Sequence, residues 1–291
     1  MAYRFKHSDL TVTDSLRRIA RDQLNKALSA VDQPGDLHDG IHDARKKCKK
    51  LRGLIRLVRP AFPGFKTENA ALRDAARRLA PLRERGAGIE TIDRLLGQPP
   101  KGFDRDAAGE IREALLRRAG MVQMGSADEA LDAFRADLCA CRDRAAGWEL
   151  EKTGFSALKG GLKKTYRRAR NQMKAARKTH APEDMHDWRK RVKYHWYHTR
   201  LLKPIRTGKM KHRARMASDL SDLLGDHHDL VDLRMLLRDG SLPREAGVAL
   251  LESVEAEMRH LETTAFDLGQ QLLADKPGKL VTRWRGWWKD W

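Results

Sequence analysis

Apolar residues recur every three to four positions through nearly all of the chain, and β-branched runs are almost absent. That period belongs to amphipathic helices rather than strands. In the first half the spacing predicts helices over Ser8–Val31, Leu37–Val58, Thr67–Leu96, Ala107–Ala119 and Asp128–Ala145. In the second half it predicts Phe155–Arg177, Pro182–Leu202, Lys209–Arg238 and Pro243–Ala274. Breaks fall where Pro and Gly cluster, at Gln33-Pro34-Gly35, Pro60–Gly64, Gly97–Gly102 and Asp239–Pro243. The expected fold class is all-α.

The two halves also resemble each other. Ile41–Lys49 matches Met185–Lys193 at an offset of 144, Leu16–Arg21 matches Leu162–Arg167 at 146, and Leu79–Glu84 matches Leu224–Asp229 at 145. Three successive helices repeating at nearly constant offset point to an internal duplication. The expectation is one domain over 1–291, with a first repeat over about 1–145 and a second over about 146–291. Two copies do not make a solenoid, which needs three or more units.

Charge sharpens the picture. The chain has 59 Lys and Arg against 40 Asp and Glu, a formal net charge of +19, which favours a polyanionic partner or an anionic surface. Three cysteines, Cys48, Cys139 and Cys141, have no framework spacing and are expected to stay reduced in a cytosol. The first residues, Met1-Ala2-Tyr3-Arg4-Phe5-Lys6, lack the apolar core of a signal peptide, and no stretch is long and apolar enough to span a membrane. A cytoplasmic protein is expected.

On the second helix of each half the basic residues align. His42, Arg45, Lys49, Arg52 and Arg56 share one face, as do His186, Arg189, Lys193 and Arg200, with Trp196 taking the place of the fourth cation. One residue back runs an apolar stripe, Ile41, Ala44, Cys48, Leu51, Ile55 and Val58, matched by Met185, Trp188 and Val192. One step is about a quarter turn, so the cations border the core face instead of opposing it. Like charges beside a low-dielectric core cost free energy unless an anion neutralises them. The bland alternative is a snorkelling face whose stems cover the core edge.

His38 and His42, with Asp39 and Asp43, could be read as metal ligands on one helix. Gly40 interrupts that turn, the second half has no His before His186, and fixed cations repel a metal ion. No metal is expected. A histidine beside anionic oxygens instead donates a hydrogen bond and gains a proton, so binding is expected to rise below about pH 6.5.

His-x-x-Arg-x-x-x-Lys occurring twice, each time followed by a Leu-rich helix, resembles the CHAD family, the conserved histidine α-helical domain. The likeness takes in Leu162–Arg170, His186–Tyr194, Leu220–Asp229, Trp148 and the basic Trp-rich tail. It implies two pseudo-symmetric four-helix bundles around a central basic cavity or groove. It further implies binding of inorganic polyphosphate and association with polyphosphate granules. Carried over residue by residue, it assigns polyphosphate binding to His42, Arg45, Lys49 and Arg52, and to His186, Arg189 and Lys193. The first-helix residues Arg18, Arg21, Lys164 and Arg167 follow. The sequence departs from the family pattern at Arg83-Glu84 and His228-Asp229, where Arg-Asp is usual. With no residues left for a triphosphatase-type domain, a stand-alone module is expected.

No phosphate-binding Gly-rich loop, dinucleotide turn or nucleophile elbow occurs, and no catalysis or cofactor is expected. Asp226 and Asp229 could hold Mg²⁺ or pair with a core Arg. The rival reading is sequence-nonspecific nucleic-acid binding, since basic helices track a phosphate backbone. Aromatic content of only 6% argues against it, although Tyr194, Trp196 and Tyr197 cluster near the second stripe. The last eight residues contain four Trp, expected to pin the tail onto the bundle rather than to anchor it at an anionic interface.

Overall fold

The computed structural model describes residues 3–32, 37–120 and 127–291, with all side chains but those of residues 83–85, 120 and 127. Among them every regular element is a helix. Helix α1 (Val12–Asp32) begins at a reciprocal cap: Asp14 N donates to Thr11 Oγ1 and Thr11 N to Asp14 Oδ2, both at 3.0 Å. These bonds satisfy amides that have no intrahelical partner. Helix α2 (Leu37–Val58) follows and packs against α1, α3 (Phe65–Arg78), α7 (Gly154–Thr179) and α8 (Pro182–Leu201), which makes it the central helix.

The single helix expected over Thr67–Leu96 is two, α3 and α4 (Ala80–Gly97), broken at Leu79. Pro81 explains the break. Inside a continuous helix it would remove a hydrogen bond and clash one turn back, whereas in the first turn of a new helix its missing N–H costs nothing. Helices α5 (Arg105–Gly120) and α6 (Ala127–Ala146) complete the first half, α5 capped by the Asp104 carboxylate. The second half runs α7, α8, α9 (Thr207–Arg238), α10 (Arg244–Leu272) and α11 (Pro277–Lys289), and α11 was not expected from the pattern.

Two apolar cores form, and they do not divide at residue 145. The larger takes Leu16, Leu24, Leu51 and Leu54 together with Leu158, Trp188, Leu220 and Trp284, so it draws on both halves. The smaller gathers Ile92 and Ile111 with Leu230, Leu233, Leu250 and Val254. Helix α9, about 48 Å long at 1.5 Å per residue, runs through both. All six apolar stripe residues of α2, and Met185, Trp188 and Val192 of α8, are buried as expected. Where α7 meets α2 only glycine fits: a Cβ on Gly161 would lie 2.0 Å from the Leu57 carbonyl oxygen.

Candidate functional site

The α2 stripe lies along the α2–α3 boundary. The Arg45 guanidinium donates to the Ala76 carbonyl, while Arg52 Nε donates to Asn69 Oδ1 at 3.3 Å and Arg56 donates to the same oxygen. His42 and Lys49 are exposed on the same helix. Arg56 crosses to the second half, its guanidinium 4.3 Å from the Tyr194 ring centroid on α8. Burial, and then the positive charges of Arg52, Arg59 and Arg191, hold Arg56 down to about 10. Arg59 is lowered by burial and by Arg168 and Arg191.

Cations from α2, α7 and α8 therefore converge at one place. Lys164 joins them: Arg59 above all, then burial, Arg168 and Arg167, lowers its pKa. Among the described residues Arg52, Arg56, Arg59, Arg168 and Arg191 form no ion pair. Arg59 Nε is buried without a hydrogen-bond partner. A cluster of this kind is a ready receptor for anionic oxygens.

The second stripe lies along α8 and α9. Arg189 packs its guanidinium over Gly225, where a Cβ would meet it at 2.9 Å. Lys193 Nζ stands 3.9 Å from Asp222 Oδ1 and 4.5 Å from the Trp196 ring centroid, and Arg200 sits over the same indole at 4.9 Å. Trp196 thus carries two cations rather than interrupting the stripe. Burial lowers the Lys193 pKa, and Arg189, Lys46 of α2 and Arg200 lower it further against Asp222.

His186 faces His228 of α9 with ring centroids 4.1 Å apart, and its Nδ1 is buried without a partner. Burial, then His228, Lys190 and Arg189, push its pKa down to about 4. Without an anion beside it, these influences favour the neutral form of His186, so the expected gain of charge requires bound anionic oxygens to raise its pKa. The sequence concealed this because both the burial of His186 and its neighbour His228, on another helix, arise from tertiary packing. Asp226 and Asp229 serve as acidic partners, Asp226 Oδ1 lying 3.5 Å from Arg94 Nε. Burial raises both carboxyls, opposed by the charges of Arg94 and Arg189. Among the described residues no group of three His, Cys, Asp or Glu is placed to hold a metal ion. The side chains of Arg83 and Glu84 lie outside the described residues.

The first-helix cations divide. Arg18 is gripped by Asp9 through two hydrogen bonds of 2.6 Å and also donates to the Arg4 carbonyl. Burial works against the Asp9 charge, but the bonds from Arg18 and Ser15 hold its pKa low. Arg18 therefore ties the N-terminal segment to α1, apart from the stripes. Arg21 and Arg167 are exposed on α1 and α7. The sequence reading missed Arg59, Arg168 and Arg191, whose convergence follows from the packing of α2 against α7 and α8.

A family model described as the CHAD domain matches residues 17–238. The chain belongs to the CHAD-domain family. The matched region of the CHAD domain begins inside α1 and closes at the last residue of α9, so it contains both stripes and the basic convergence between them. No curated protein matches the chain. No helix among the described residues is long and apolar enough to cross a membrane.

Proposed function

We propose that this CHAD-domain protein binds inorganic polyphosphate without catalysis, along its α2 and α8 basic faces, and works in the cytoplasm at polyphosphate granules. The observation that carries the reading is the meeting of Arg52, Arg56, Arg59, Arg168 and Arg191, cations from α2, α7, α8 and the 3-10 turn Arg59–Ala61, with no ion-pair partner among the described residues. Such a group is costly in the free protein and favourable around a chain of phosphates, each contact releasing condensed counterions. His42, Arg45 and Lys49 extend it along α2, and His186, Arg189 and Lys193 along α8.

The duplication belongs to the same reading. Gly53 and Tyr197 are 144 positions apart and touch, and Arg56 and Arg200, also 144 apart, each cross to the other half, at Tyr194 and Tyr3. Those pairings support two copies related by a pseudo-two-fold axis near the α2–α8 contact.

Nucleic acid is the weaker reading, for a reason the aromatic residues supply. Tyr197 is buried against Gly53, Tyr194 is covered by Arg56, and Trp196 by Lys193 and Arg200. Rings engaged in this way are poor platforms for bases, whereas polyphosphate presents no base to stack. Binding measured from low to near-physiological salt should weaken steeply on a log–log plot, as for other many-phosphate contacts. A flat response would remove the electrostatic capture on which the proposal depends.

A further inference from the structure

On the α1 side of α2 lies a cavity of about 420 Å³, and of the two stripes only Arg200 reaches it. Six of its eight lining residues are Lys or Arg and none is acidic, a lining that suits an anion. Lys50 of α2 and Arg200 of α8 stand over one ring, Nζ at 5.9 Å and Cζ at 5.8 Å from the Tyr3 centroid. The Tyr3 hydroxyl donates to the Lys50 carbonyl at 2.7 Å, which fixes that wall. Lys203, on the short 3-10 turn Lys203–Arg206, closes the cavity from a third segment.

These three cations differ from their neighbours. Lys47 is held by Asp43 at 2.7 Å and Lys26 by Asp22 at 3.0 Å. Lys50, Arg200 and Lys203 form no ion pair among the described residues. The remaining charges about Lys50 are Lys46 and Asp43 on its own helix, Asp43 opposing the lowering of its pKa, and Arg4 in the N-terminal segment. Tyr3 is buried and packs edge-on against Tyr197, centroids 6.0 Å apart, so it offers no platform for a base. A volume in the small-ligand range suits a compact anion.

The geometry points to a second site here, one that seats a short condensed phosphate, a di- or triphosphate group, between Lys50, Arg200 and Lys203. It rests on the reading that the chain takes up condensed phosphate, and names a distinct place and a distinct ligand size. The site is also proton-coupled. Burial, then Lys47, Arg200 and Lys46, push Lys50 down to about 8. An entering anion favours the ammonium form, so binding near pH 8 draws a proton onto Lys50.

Calorimetry with pyrophosphate, in buffers of different ionisation enthalpy, tests this. Wild type should bind, and Lys50→Met or Arg200→Met should each lose about tenfold in affinity, the order expected for one charge-assisted contact. Lys50→Arg should keep the affinity but take up fewer protons per ligand than wild type at pH 8, since Arg stays charged at that pH whereas Lys50 is held down to about 8. Lys279→Met, exposed on α11 and outside both sites, should leave pyrophosphate binding unchanged, and far-UV spectra check that each variant folds.

Long-chain polyphosphate separates the two sources of the ligand. If a polymer end enters the cavity, Lys50→Met weakens both ligands; if only a free anion does, it weakens pyrophosphate alone. A protein that binds the polymer but ignores pyrophosphate, or whose pyrophosphate affinity is indifferent to Lys50 and Arg200, overturns the second site alone. Failure to bind either ligand overturns the parent reading.

Discussion

Gly53 of α2 and Tyr197 of α8 lie directly against each other: a Cβ on Gly53 would be 2.8 Å from Tyr197 Cδ2 and 2.9 Å from its Cβ. The next residue, His198, places Nε2 3.1 Å from the Gly53 carbonyl oxygen. Their offset of 144 is the same as that between His42 and His186. Under the proposed duplication the two are equivalent positions, whose contact a two-fold relation produces at its axis. It also brings the cations of α2 and α8 within reach of one another.

Gly53→Ala sets a helix-propensity gain of about 1 kcal/mol against overpacking of about 1–3 kcal/mol. Overpacking should win, because the atoms met belong to the root of a buried ring that cannot swing away. The urea midpoint should fall. Gly286→Ala on α11, where nothing lies within 4 Å of the new Cβ, should leave it level or raise it.

Acid should destabilise the protein before its carboxylates titrate. His186 is pushed down to about 4 and His198 to about 3, burial being the main cause for each. An unfolded histidine titrates near 6.5, so below that pH the unfolded chain binds protons that the fold refuses. Stability is therefore complete above pH 6.5 and declines as pH falls towards 4 for His186 and 3 for His198. Urea unfolding at pH 7.5, 6 and 5 should show the decline, and His198→Gln should flatten it. A level profile from 7.5 to 5 would contradict the burial described.

The helices that carry the site were legible because α2 and α8 keep an unbroken apolar period beside their cations. Less legible were features set by one residue or by distant neighbours. Pro81 outweighed the long period over Thr67–Leu96. In α11 a signal was present, since Trp284, Trp287, Trp288 and Trp291 follow i, i+3, i+4, i+7 spacing, yet Gly and Lys around them masked it. The role of Arg18 turned on Asp9, before the helix began. The lowered pKa of His186 depended first on burial and then on His228, 42 positions away.

The C-terminal helix should be structural. Trp284 is fully buried and flanks His195 and Arg213, while Trp288 meets Phe5, Phe155 and Trp291. Trp284→Ala should cost about 3–5 kcal/mol, read as a lowered urea midpoint, and Trp287→Ala much less. An unchanged midpoint for Trp284→Ala would mean the tail does not hold the core.

The most direct test is a competition of long-chain polyphosphate with RNA and single-stranded DNA, at matched phosphate concentration and near-physiological salt. Wild type is compared with Lys49→Glu/Lys193→Glu. The account predicts that polyphosphate outcompetes both nucleic acids by about tenfold or more, a gap of about 1.4 kcal/mol, and that the double variant loses it. Equal binding of all three, or a double variant that binds polyphosphate as wild type does, would contradict a polyphosphate site on α2 and α8.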